Sequence, residues 1–119
     1  MKKTTKKSVD DLWALKVKER AGYKCEYCGS ERYLNSHHIF SRSNHSVRWD
    51  LENGMCLCPS HHVLGNFSAH KAPLEFSDWI KETRGDEWYQ RLKFKANQTA
   101  PKVNLEEIKK QLQEEKCSK

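Results

Sequence analysis

No stretch of this 119-residue chain is apolar over anything near the ~20 residues a bilayer-spanning helix needs, so no membrane span is expected. The basic stretch Met1-Lys2-Lys3-Thr4-Thr5-Lys6-Lys7 has no apolar run behind it, so no secretory signal is expected either. Hydrophobic residues are scarce at 36% while 32% are charged. A chain of this size buries about two-thirds of its unfolded surface, so one domain can close, with little margin. A metal staple would help it. An excess of negative charge is also missing: the net charge is +6 and the sequence pI is near 9.1, which favours a polyanionic partner such as nucleic acid or an anionic membrane surface. No internal repeat is visible. What the chain does have is five cysteines, an odd number, four of them in closely spaced pairs. Metal-binding thiols in a reducing cytoplasm account for these better than disulfides do. Cys117, in the tail, reads as a free thiol without a role.

Along the chain, residues 1–7 read as a mobile basic arm, 8–97 as the main domain, and 98–119 as a linker with a C-terminal helix. Ser8 is placed to cap a helix over about 9–21, with Asp10 and Asp11 in its first turn and Gly22 ending it. Val9, Leu12, Trp13 and Val17 share one stripe of that helix. The run from Tyr33 to Phe40 suits a strand, Ser41 to Asp50 an exposed loop, and Gly54 to Leu57 the second strand of a hairpin. Pro59 opens a short helix to Leu64, which Gly65-Asn66 can break. Further helices are predicted over 74–84, 87–97 (Asp86 as cap) and 105–116 (Asn104 as cap). Leu105, Ile108 and Leu112 form a thin stripe on the last, suited to weak packing or to a partner, a second copy of the chain included. The fold class is α+β: a small metal-stapled core with flanking helices.

Two half-sites carry metal chemistry. Cys25-x-x-Cys28 puts two thiolates on one tight turn, and Cys58-x-x-His61 supplies a second pair. Four such ligands describe a closed, tetrahedral, structural Zn²⁺ site. Cys56, two residues from Cys58, reads as a small buried hydrophobe. His61 and His62 diverge by ~100° on a helix, so one can face the zinc and the other a different target. His37 and His38 diverge too, because neighbours on a strand face opposite ways. One of them then suits a metal and the other suits proton transfer, imidazole having a reference pKa of ~6.5.

The segments Ser36-His37-His38-Ile39-Phe40, Asn53 and Cys58-Pro59-Ser60-His61-His62 together resemble the HNH endonucleases, which have a ββα-metal fold. The likeness covers roughly residues 23–76, with His61 where that family usually has a second cysteine. It implies His38 as general base, His37 and His62 as ligands of a catalytic divalent cation (Mg²⁺, Mn²⁺ or another), and Asn53 as the brace of the loop between the strands. It implies hydrolysis of DNA to a 5′-phosphate and a 3′-hydroxyl. A further ligand would be Asn66 or His70. On an unbroken helix His70 would lie ~12 Å along the axis from His62, and only a break at Gly65-Asn66 would let it swing in. Arg42, Arg48 and Lys71 are the candidate DNA contacts, and Trp49 is expected in the core. The stretch from His37 through Phe76 also resembles small phage-encoded HNH proteins grouped with the NinG/Rap recombination nucleases. That likeness implies branched DNA as one substrate, a phage packaging or recombination partner, and the cytoplasm of a host cell. The rival readings are a zinc-stabilised nucleic-acid-binding module without catalysis and an adaptor that binds proteins through its C-terminal helices.

Overall fold

The structure is a computed structural model in which residues 3–99 and 102–115 are described. It is a small α+β body built on one antiparallel hairpin, β1 (Asn35–His38) and β2 (Gly54–Leu57). Asn35 pairs with Leu57, Ser36 with Cys56, His37 with Met55 and His38 with Gly54. β2 is buried along its whole length, whereas β1 is only partly covered. The alternation of a strand sends Met55 and Leu57 to one face and Cys56 to the other. On the first face they join Phe76, Ile80, Trp88 and Leu92 of α2 (Pro73–Arg84) and α3 (Asp86–Ala96). On the second face Cys56 meets Val9, Trp13 and Val17 of α1 (Lys6–Arg20) and Leu112 of α4 (Leu105–Glu114). No helix among the described residues is long and apolar enough to cross a membrane.

Helix α1 starts earlier than Ser8 alone predicts. Thr5 is the cap, and Ser8 at the third helical position returns the bond: Ser8 N–H donates to Thr5 Oγ1 and Thr5 N–H to Ser8 Oγ, each at 3.1 Å. A reciprocal cap of this kind satisfies two end donors at once. Lys6 and Lys7 are therefore helical and Thr4 is buried, so the mobile arm read over residues 1–7 is corrected at Thr4–Lys7, while Met1 and Lys2 lie outside the described residues. At the far end Gly22 takes the left-handed conformation (φ 67°), as its placement anticipates. β1 is shorter than Tyr33–Phe40, because Tyr33 is itself left-handed (φ 53°) and exposed, which no strand interior accommodates.

The loop from Ser41 to Asp50 is exposed only over its first half. Val47, Arg48 and Trp49 turn inward and are buried. Asp86 is the first residue of α3 and Gly85, at φ 92°, holds the cap position; Asn104 does cap α4, accepting from Glu107 N–H at 3.1 Å. The stripe on α4 is spent within the chain: Leu112 is buried, with Leu105 and Ile108 packed against the α1 cluster. Cys117 lies outside the described residues.

The other layer is tied to the hairpin by polar groups. Arg84 of α2 donates to the carbonyls of Glu52 (3.2 Å) and Gly54 (2.8 Å) and to the Glu26 carboxylate (2.9 Å). Glu26 also accepts Cys56 N–H at 2.7 Å. One ion pair thereby joins the cysteine turn, the second strand and α2.

Candidate functional site

Two clusters of metal-type ligands flank the hairpin: Cys25, Cys28, Cys58 and His61, and His37, His62 and His70. In each, the donor atoms lie within 4.8 Å of one another.

The first cluster could hold one metal ion. Cys28 Sγ and Cys58 Sγ are 3.7 Å apart, and His61 Nδ1 lies 3.3 Å from Cys58 Sγ and 4.0 Å from Cys25 Sγ. For metal–sulfur bonds of ~2.3 Å a tetrahedron has sulfur–sulfur edges of ~3.8 Å, and the Cys28–Cys58 separation is close to such an edge. The knuckle turn is closed by Gly29 N–H donating to Cys25 O at 2.8 Å, with Gly29 at φ 79°. Burial pushes the Cys25 thiol up, but backbone N–H groups of Cys28, Cys58 and Tyr27 outweigh it and hold the pKa below its ordinary value. A Ser30 hydrogen bond draws Cys28 down, yet burial and its two cysteine neighbours raise it on balance. Four cysteines among the described residues are free thiols. Tyr27 lies over the His61 ring at 4.3 Å and packs edge-on against Trp79 at 4.8 Å, roofing the cluster with aromatic carbon. Cys56 is fully buried and outside the cluster, and burial pushes its thiol up to about 11.

The residues after Cys58 are what bring the second cluster together. Ser60–Leu64 form a single widened turn, closed by Gly65 N–H donating to Ser60 O at 2.9 Å. A Cβ on Gly65 would meet that carbonyl at 2.5 Å, so only glycine ends the turn this way. The chain then doubles back. Ala69 N–H donates to His61 O (2.9 Å) and His70 N–H to His62 O (3.1 Å), while the fully buried Ser68 caps the return. His70 Nε2 thereby comes to 3.2 Å from His62 Nε2. Of the two candidate third ligands, His70 is brought into the cluster.

His37 closes the group, its ring 5.1 Å from His62 and 5.5 Å from His70. Burial, and then repulsion from His62, His70 and His38, pushes its pKa down to about 3; burial followed by His70 also lowers His62. These rings keep their lone pairs for a cation instead of a proton. The shift carries a stability consequence. An unfolded His37 takes a proton below pH ~6.5, whereas the folded one refuses it until about 3. Stability is therefore lost as pH falls through that window, at up to about 1.4 kcal/mol per pH unit for one proton. Urea unfolding between about pH 7 and 5 is expected to show a shallower acid slope for His37→Asn than for the natural chain. Equal slopes would refute the assignment.

His38 faces the other way, toward α1. Its ring stacks on Trp13 at 3.9 Å and 10°, and Nε2 lies 2.9 Å from the Arg48 carbonyl. A carbonyl only accepts, so Nε2 carries the hydrogen and Nδ1 keeps the lone pair. Burial lowers its pKa, offset in part by the Arg48 bond. Asn53, fully buried, spends its whole amide on the loop. Oδ1 accepts Phe40 N–H at 2.7 Å, and Nδ2 donates to Phe40 O (3.0 Å) and Val47 O (3.2 Å). These bonds pin Asn53, at the end of the long connection, to Phe40 at its start and to Val47 within it.

The three basic candidates fare differently. Arg48 is no surface contact: its side chain is 11% exposed and bonds Asp10 twice, Nε at 3.1 Å and Nη2 at 2.7 Å. It is buried because Asp10, on α1, supplies the acceptor that an exposed loop would lack. Arg42 stays 65% exposed while reaching the same carboxylate at 3.3 Å. Lys71 is exposed and its ammonium caps Leu64 O at 2.9 Å. Asp10 and Trp13 are the groups at this site that local pattern does not reveal, since both read as ordinary parts of a helix. No protein-family model matches the chain, and no curated protein or solved structure is significantly similar to it.

Proposed function

We propose that this chain is a metal-dependent DNA endonuclease of the HNH type, its hairpin and the following turn forming a ββα-metal core. The observation that carries the reading is the way adjacent histidines part company. His37 and His62 converge with His70 on one side, while His38 turns to the other side with Nδ1 as its lone pair. Zinc is the ion we assign to Cys25, Cys28, Cys58 and His61, since a closed thiolate–imidazole tetrahedron is its usual structural site. His37, His62 and His70 would hold the catalytic cation. When bound, that cation supplies charge neutralisation at the scissile phosphate and at the departing 3′-oxygen.

The chain's own groups then have defined tasks. His38 Nδ1 accepts a proton from the attacking water, and the Arg48 carbonyl, by holding Nε2–H, keeps that nitrogen free. Asn53 fixes the loop that carries this carbonyl. Arg42, exposed, is suited to a backbone phosphate, which orients DNA without reading its sequence. The products would be a 5′-phosphate and a 3′-hydroxyl. The net charge of +6 favours such a polyanion, and the affinity should fall with salt. Branched DNA belongs beside plain duplex among the substrates tested, in keeping with the phage recombination group the sequence resembles, and such a setting would place the protein in a host cytoplasm.

The donor set also speaks to the metal. Three imidazoles without a carboxylate suit borderline first-row ions, whereas Mg²⁺ takes oxygen ligands and several waters. Supercoiled plasmid is expected to be nicked or linearised with Mn²⁺, Co²⁺ or Ni²⁺ about tenfold faster than with Mg²⁺. No cleavage with any of these ions would favour the non-catalytic zinc-stabilised binding module.

A further inference from the structure

The proposed base is held by a helix that lies outside the metal-binding segment altogether. Helix α1 makes two separate approaches to His38, one through a ring and one through a salt bridge. Trp13 lays its indole flat against the imidazole at 3.9 Å and 10°, and its own Nε1–H donates to Asp50 O at 3.0 Å. The indole is therefore itself fixed to the loop. Room for it comes from Gly54, the residue opposite His38 in the hairpin. A Cβ there would meet Val17 Cγ2 at 2.4 Å and Trp13 Cζ2 at 2.9 Å, so a larger residue would displace the helix that covers His38.

The second approach runs through Asp10. Its carboxylate accepts from Arg48 Nε and Nη2, from Trp49 Nε1 at 2.8 Å and from Arg42 Nη2. It is the common acceptor for three side chains of one loop, and the middle of these, Arg48, carries the carbonyl that takes the His38 Nε2–H. Val47, one residue earlier, is held from the opposite side by Asn53. The Arg48 carbonyl thus sits between two anchors, one from the hairpin and one from α1. Burial alone would raise the Asp10 carboxyl, but the Arg48 and Trp49 bonds hold it below its ordinary value, so it is ionised at neutral pH and the pair is charge-assisted.

We infer that Asp10 and Trp13 are positioning residues for His38: Asp10 sets the Arg48 carbonyl that selects the ring's tautomer, and Trp13 sets the plane of the ring. This rests on the reading of His38 as general base. Neither residue itself takes or gives the proton. Their effect is to spare His38 a search over orientation and tautomer, and misplacing a catalytic group by about an ångström can cost up to ~10²-fold in rate. Nδ1 and Nε2 are not interchangeable here. A His38 that lost the Arg48 carbonyl would spend part of its time with the hydrogen on Nδ1, where it cannot accept a proton.

The test uses the full chain with both metal sites loaded with zinc, at about pH 8, where a histidine is neutral. Ring ¹⁵N shifts of His38 report the tautomer without any turnover. The natural chain is expected to show hydrogen on Nε2 alone. Asp10→Asn and Trp13→Phe, which preserve bulk, are expected to give mixed tautomers and a kcat reduced about tenfold to a hundredfold, with KM changed less than about twofold. Asp11→Asn is the control, since among the described residues Asp11 pairs with Lys7 on the exposed face of the same helix, and it should change nothing. An unchanged His38 tautomer in both variants would overturn the inference, as would hydrogen on Nδ1 in the natural chain. Rates are measured with Mn²⁺ or Co²⁺ at the three histidines; if the natural chain shows the expected tautomer but cleaves no DNA with Mn²⁺, Co²⁺, Ni²⁺ or Mg²⁺, the endonuclease reading fails while the positioning stands.

Discussion

Stripping the metal from Cys25, Cys28, Cys58 and His61 is expected to unfold the chain rather than merely loosen it. Structural zinc contributes about 10–16 kcal/mol of apparent binding free energy in small domains, against a total stability of about 5–15 kcal/mol for a typical one. A chain with 36% hydrophobic residues has little apolar surface to make up the loss. The geometry says where the damage spreads. The ion would join the turn after α1 to the turn after β2; the first of these turns is otherwise tied through Glu26 to Cys56 and Arg84 and through the Tyr27 ring to Phe67 and Trp79. His61 also accepts the Ala69 N–H that folds His70 back toward His62. Losing the first cluster therefore dismantles the second. A tight chelator, or Cys28→Ser, should abolish the cooperative thermal transition and the near-UV aromatic signal, and should leave no Ni²⁺ or Co²⁺ binding at the three histidines. A chelated chain that still melts cooperatively would rule the structural role out.

Much of this centre can be read from local spacing because its parts are local. Cys25-x-x-Cys28 and Cys58-x-x-His61 each lie on one turn, and the opposed directions of His37 and His38 follow from strand alternation alone. The second strand, Gly54–Leu57, falls where its apolar residues predict. What could not be read depends on contacts made across the chain. Arg48 looks like a solvated loop residue until Asp10, thirty-eight positions away, is brought against it. The thin stripe of α4 looks idle until α1 is laid beside it. His70 belongs to the cluster only because Gly65 ends one turn and two backbone bonds return the chain. The start of α1 escaped for a subtler reason. Ser8 and Thr5 both carry hydroxyls suited to capping, and the pair acts reciprocally, which moves the helix end forward to the threonine.

Replacing His38 by alanine should separate base from ligand within the histidine pair. General-base catalysis contributes roughly 10²–10⁴-fold, and the rate of phosphodiester cleavage is expected to fall by about that factor. Neither cluster includes His38, so the metal-binding capacity of both should be unchanged. The fold should survive as well. The ring is only half-buried, Trp13 keeps its own bond to Asp50 O, and the loop keeps the Asn53 and Asp10 anchors. His37→Ala gives the contrast. It removes one of three imidazoles from the cation, so its defect should appear as weakened metal affinity and should be partly recovered at higher Mn²⁺ or Co²⁺. If His38 is the proposed base, no concentration of metal should recover His38→Ala, because the function lost there would be the acceptance of a proton by Nδ1. Measuring rate against metal concentration for both variants decides the matter: full activity in His38→Ala, or recovery of it by added metal, would show that the proton goes elsewhere.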